Sequence, residues 1–208
     1  MSCSELYVMD KDSNGESLYD FSNSWLFSPI VWDILYHKYI PETPVYRNYM
    51  SASMFDGGET WRMLNSEIND SSEQVDRIAW ELSQQQTFFT KDKEFVASCI
   101  EKFFDVNKRY TTDIKNDNIF YRAKEIAKGI RSLDESTQPY FAFKNTSCDD
   151  GVERWFIGDY NEEDGEYARI GLRDQTVHCT EFVYIEDDKI KEFVSNLVYF
   201  EKEKGNEK

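Results

Sequence analysis

The sequence contains no CxxC pair, no long apolar run and no glycine-rich nucleotide loop, and each absence excludes a class of protein. Crossing a bilayer as a helix takes about 18 or more consecutive apolar residues. The chain has no such run, so a membrane-spanning helix is excluded. The opening residues MSCSELYVMD carry neither a basic segment nor an apolar core, so no secretory signal is expected. Cysteine is rare, and Cys3, Cys99, Cys148 and Cys179 lie far apart. Four scattered cysteines in 208 residues read as free thiols, and the expected compartment is the cytoplasm. Histidine is rarer still, with His37 and His178 alone. Grouping His178 with Cys3, Cys148 and Cys179 matches no zinc spacing, and adjacent strand residues such as His178 and Cys179 point to opposite faces. A Cys–His catalytic pair needs a spatial contact that spacing does not supply. Asp56-Gly57-Gly58 precedes a helix but lacks both GxGxxG and GK[ST], so a turn leading into that helix accounts for it. No metal and no cofactor is implied.

Positive charge is also scarce. Lysine and arginine number 24 against 40 aspartates and glutamates, a formal net charge of −16. Spread over a folded surface of roughly 10,000 Å², this repels nucleic acid and anionic lipid and attracts basic partners. Residues 149–208 hold 17 acidic and 8 basic side chains, so the C-terminal part is the more acidic. Solubility alone is the plainer account of such a balance.

Apolar and aromatic residues are plentiful, at 40% and 16%, which is ample for a packed core. SELYVMD and ESLYDF flank KDSNG as a hairpin would, with Asn14-Gly15 as the turn dipeptide. Helical spacing follows in SPIVWDILYHKYIP, in ETWRMLNSEI and in the segment carrying Val75, Ile78, Ala79 and Leu82. It continues in KDKEFVASCIEKFFDV, where Cys99 falls on the apolar face, and in NIFYRAKEIAKGIRSL. The period then changes, and QPYFAFKN, ERWFIGDY, EYARIGLRD and CTEFVYIE read as strands joined by short turns. DDKIKEFVSNLVYFEKEKG reads as a closing helix. The expected fold is α+β: a helix-rich N-terminal two-thirds, then a four-stranded antiparallel meander and a C-terminal helix. One domain over 1–208 is expected, with a soft internal boundary near 135–139 between a mainly helical 1–135 and a sheet-plus-helix 139–204.

Three stretches invite a functional reading. Asp10, Asp12, Asn14 and Gly15 occupy positions 1, 3, 5 and 6 of a calcium loop, but Leu18 and Phe21 stand at positions 9 and 12, so the bidentate anchor is missing. A polar hairpin turn uses the same residue types. On the expected sheet, Arg154, Arg169 and Arg173 share a face with Phe156 and Tyr167, an arrangement suited to anions, although ion pairing to nearby carboxylates is the plainer outcome. The run from Asp159 to Tyr167 sets Asp159, Glu162, Glu163 and Asp164 beside Tyr160 and Tyr167 in an exposed loop. Carboxylates steer and pair with a basic protein while tyrosines supply rigid contact area. The expected function is therefore a non-enzymatic, acidic protein-binding inhibitor of a basic partner, such as an immunity protein or antitoxin that blocks a nuclease toxin. A phage-type inhibitor or DNA mimic of a nucleic-acid-binding protein is one alternative. An enzyme with its site on the arginine-bearing sheet face is another. Neither direct nucleic-acid binding nor a membrane partner is expected.

Overall fold

The N-terminal hairpin forms as its sequence suggests: β1 (Cys3–Met9) pairs antiparallel with β2 (Gly15–Ser22). The structure, a computed structural model, describes residues 3–22, 27–41, 48–110, 118–145 and 151–206. The turn takes its positive φ at Ser13 (63°), not at Gly15. Gly15 has a different task. A Cβ there would lie 2.3 Å from Cζ of Phe156 and 2.6 Å from Cε1 of Tyr7.

Beyond β1 lies β4 (Tyr140–Asn145), then β3 (Thr87–Phe89), β7 (Glu181–Glu186) and β8 (Lys189–Ser195), giving the order β2-β1-β4-β3-β7-β8. All neighbours are antiparallel except β3 and β7, where Phe88 aligns with Val183 in parallel. A separate two-stranded sheet is made by β5 (Ile157–Asn161) and β6 (Glu166–Arg169).

This overturns the expected helical region followed by a four-stranded meander. Three strands of the main sheet, β1, β2 and β3, come from the supposedly helical part. QPYFAFKN and CTEFVYIE do form β4 and β7, but β3 lies between them. ERWFIGDY divides into the end of a short helix, α7 (Gly151–Arg154), and β5, while EYARIGLRD divides into β6 and a 3-10 turn at Leu172–Asp174. DDKIKEFVSNLVYFEKEKG begins as strand β8 and turns helical only at α8 (Asn196–Asn206). Ile190, Phe193, Val194 and Leu197 fit a helical stripe, but tertiary pairing prevails: Ile190 lies opposite Ile185 and Val194 opposite Phe182. Asp187 and Asp188 make the two-residue turn with φ of 51° and 55°, the doubly left-handed geometry that suits strand twist.

Six further helices fill the middle of the chain among the described residues: α1 (Phe27–Tyr39), α2 (Tyr49–Phe55), α3 (Glu59–Asp70), α4 (Gln74–Ser83), α5 (Lys93–Val106) and α6 (Asn118–Arg131). Asn48 caps α2, its Oδ1 accepting from Ser51 N at 2.9 Å. Thr90 and Ser28 bond beyond their own helix ends. The Thr90 hydroxyl donates to Gln138 O, and Ser28 donates to Asn145 Oδ1 at 2.8 Å.

The central strands β1, β4, β3 and β7 are largely buried on both faces, and successive strand residues serve different cores. Leu6, Val8, Phe141, Phe143, Val183 and Ile185 join the large cluster built on α1–α6. Their neighbours Tyr7, Met9, Tyr140, Ala142 and Phe182 join a second cluster with Trp155, Phe156, Leu172, Tyr199 and Phe200. Residues of opposite orientation are thus both apolar, so β1 and β4 read as apolar runs without alternation. No helix among the described residues is long and apolar enough to cross a membrane.

Candidate functional site

The β5–β6 hairpin carries the acidic run and projects from the second core. Every residue from Asp159 to Arg169 is exposed. Tyr160 faces Tyr167 across the strands, with ring centroids 5.0 Å apart, and the two remain 53% and 60% exposed. The turn is held internally: Asn161 Nδ2 donates to Asp164 Oδ2 at 2.7 Å, and Glu166 N donates to Asp164 Oδ1 at 3.1 Å. Gly165 completes it at φ 74°. Asp164 is therefore a structural carboxylate. The side chains of Asp159, Glu162, Glu163 and Glu166 make no hydrogen bond or ion pair among the described residues. A tyrosine pair in tilted contact, amid free carboxylates, is a surface that pays little ordering entropy on binding a cation-bearing partner.

The three arginines are not gathered on a sheet face. Arg154 ends α7, Arg169 ends β6, and Arg173 lies in the 3-10 turn. Arg173 places its guanidinium over the Phe200 ring, 5.7 Å from the centroid, and donates to Lys11 O at 3.4 Å. Phe156, expected beside them, is buried and stacks on Tyr7 at 5.4 Å.

The calcium-like stretch is a closed turn. Asp10 Oδ1 accepts from the backbone N–H groups of Asp12 and Asn14, both at 2.9 Å, and Asn14 Nδ2 donates to Asp10 Oδ2 at 3.2 Å. The turn then docks on the 3-10 segment, where Leu172 N donates to Ser13 O at 2.9 Å and Arg173 N to Ser13 Oγ at 2.7 Å. Among the described residues no cluster of three or more His, Cys, Asp or Glu is placed to hold a metal ion. Cys148 and the side chain of Cys3 lie outside the described residues.

His178 and Cys179 are exposed and half-buried, respectively. Burial pushes the Cys179 thiol up, away from the thiolate a nucleophile requires. Its sulfur instead sits 3.6 Å from Val177 O as a weak donor. Both residues line a cleft of about 290 Å³ with Trp61, Gln84, Gln85, Gln86, Trp155, Thr180 and Glu181. Apart from His178 and Cys179, no residue of this cleft was singled out by sequence. The run Gln84-Gln85-Gln86 was its one visible trace, and it reads as a polar connection until α3 and β7 are brought against it.

A buried polar network ties α1 to α4 and α5. Asp76, 1% exposed, accepts from Lys38 Nζ, from Tyr39 OH at 2.8 Å and, through Oδ1, from Asn107 Nδ2 at 2.7 Å. Burial first, and the Asp76 charge beside it, hold the Tyr39 phenol protonated. With every member partnered, this is a structural network. A second buried carboxylate, Glu81, accepts from Asn69 Nδ2 at 2.9 Å. Burial pushes its pKa up to about 7, helped by the Glu181 charge and opposed by Asn69 and Arg77.

Comparison with protein-family models, curated proteins and solved structures finds no match to this chain.

Proposed function

We propose that this chain is an acidic binding protein that neutralises a basic protein partner, in the manner of an immunity protein or antitoxin covering a nuclease toxin. The observation that carries the reading is the β5–β6 hairpin, where free carboxylates at Asp159, Glu162, Glu163 and Glu166 surround the exposed Tyr160–Tyr167 pair. The net charge of −16 extends the attraction beyond the hairpin and accelerates encounter with a cationic surface. The tyrosines supply the desolvated centre that charge alone lacks.

The test uses the full chain as bait in lysate of the native host, with washes at low and high salt. The expected result is a stoichiometric basic protein that leaves at high salt. Glu162→Lys with Glu163→Lys should then weaken its binding about tenfold or more at low salt. Asp164 stays unchanged because it builds the turn. Equal affinity of the double variant would remove the hairpin from the interface and overturn the reading.

A further inference from the structure

We propose that the cleft between α3, the α4–β3 connection and the start of β7 binds a neutral sugar ring. This site is distinct from the acidic hairpin and does not depend on it.

Three consecutive amides line the cleft with their orientations fixed by donors. Trp61 Nε1 donates to Gln84 Oε1 at 3.0 Å, Asn145 N to Gln85 Oε1 at 3.0 Å, and Glu181 N to Gln86 Oε1 at 2.8 Å. An indole or backbone N–H can only donate, so each amide must turn its oxygen to that partner. Each Nε2 is then the group left over, and none makes a hydrogen bond among the described residues. Gln85 is 8% exposed, and its NH₂ keeps access to solvent at the cleft. A donor held at a cleft wall with only water to accept from it is available to a ligand oxygen. Gln85 also sits at φ 63°, a left-handed geometry uncommon for a side chain of this length, and it ends α4 in the same step. That φ closes the helix: Gln85 N donates to Leu82 O and Gln86 N to Glu81 O, both at 3.1 Å, the usual left-handed helix stop.

The remaining walls limit the occupant. Trp61, 38% exposed, gives aromatic surface, Trp155 borders the cleft from the second core at 7% exposure, and the Glu181 carboxylate gives an acceptor with no partner among the described residues. An anion is opposed by Glu181 and by the charge of −16. A cation is opposed by three N–H₂ donors. An apolar molecule leaves those donors unsatisfied. A ring bearing adjacent hydroxyls fits all the walls. Each hydroxyl both accepts from an amide N–H and donates to a carboxylate, and the C–H face of the ring packs on indole. The volume, about 290 Å³, lies at the low end of ligand pockets and suits one ring.

The experiment titrates the full chain with glucose, galactose, mannose and N-acetylglucosamine, alongside the neutral nucleosides uridine and adenosine. Saturation-transfer NMR and quenching of tryptophan fluorescence are the readouts. At least one sugar should saturate, with Kd on the order of 1 mM. Gln84→Glu keeps the acceptor for Trp61 Nε1 but replaces the outward donor by an oxygen. It should weaken sugar binding about tenfold, as should Trp61→Ala, with the unfolding midpoint of Gln84→Glu unchanged. Failure of every sugar to saturate overturns the proposal. So does saturation by a nucleoside in place of the sugars, or sugar binding that Gln84→Glu leaves intact.

Discussion

Gly15 and Phe156 occupy one another's space: the phenylalanine ring fills the position a Cβ on residue 15 would take, with Cζ 2.3 Å from it. The contact joins the N-terminal hairpin to the segment that launches β5, 141 positions later in the chain. The ring also stacks on Tyr7, so it is held from both sides. Gly15→Ala should therefore force Phe156 or the strand to shift and destabilise the fold by about 1–3 kcal/mol. Denaturant unfolding measures it. A change near zero would show that the ring has room to give.

Asp76 should be among the most costly side chains to remove. Asp76→Ala leaves the Lys38 ammonium, Tyr39 OH and Asn107 Nδ2 without their shared acceptor. A loss of about 3 kcal/mol or more is expected. Asp76→Asn, which keeps one acceptor, should lose less, and a thermal unfolding series ranks the two.

Glu81 makes a signed pH prediction. Its carboxyl titrates near pH 7 in the folded state against 4.5 as its ordinary value. Between these limits the unfolded chain releases the proton while the folded protein keeps it, so this group's contribution falls as pH rises from about 4.5 to 7 and is flat above. Glu81→Gln should abolish that slope and stabilise the protein at pH 8 by about 1–3 kcal/mol. Glu101 acts in the opposite sense. Its bidentate pair with Arg131, at 2.7 and 2.8 Å, lowers its pKa, so its contribution is lost as pH falls. Unfolding midpoints from pH 4 to pH 8, with and without Glu81→Gln, separate the two effects.

The β7–β8 turn offers a gain. Asp187 and Asp188 both hold positive φ, the geometry preferred by Asn-Gly. Asp187→Asn with Asp188→Gly should raise stability by about 0.5 kcal/mol or slightly more. An unchanged or lower midpoint would mean that neither aspartate is strained there.

Much of the local structure was legible in the chain. The stripe Phe95, Val96, Cys99, Ile100 and Phe103 on α5 is buried as its spacing implies except at Phe95, which is half-buried against the core, and Ile119, Ala123, Ile126, Ala127 and Ile130 on α6 are buried throughout. The hairpin around Ser13 was legible from its turn residues, although Gly15, read as part of the turn dipeptide, serves by leaving room for Phe156. Trp61 shows the limit. It continues the apolar spacing of Leu64 and Ile68, yet it stays partly exposed and bonds to Gln84. Spacing reports which residues share a helix face, not where the neighbouring element stops.

The sequence by itself determined the charge, the absence of a membrane-crossing helix, the helices of the middle segment and the exposure of the acidic run between two short strands. These follow from composition and from contacts a few residues apart. The tertiary structure alone decided that β1 and β4 adjoin within a mixed sheet, that β3 pairs in parallel with β7, and that KIKEFVS is a strand. It also brought Trp61, the three glutamines and Glu181 to one cleft. Strand order and cleft walls depend on which distant surfaces bury each other best, and that choice leaves no periodic mark on any single segment.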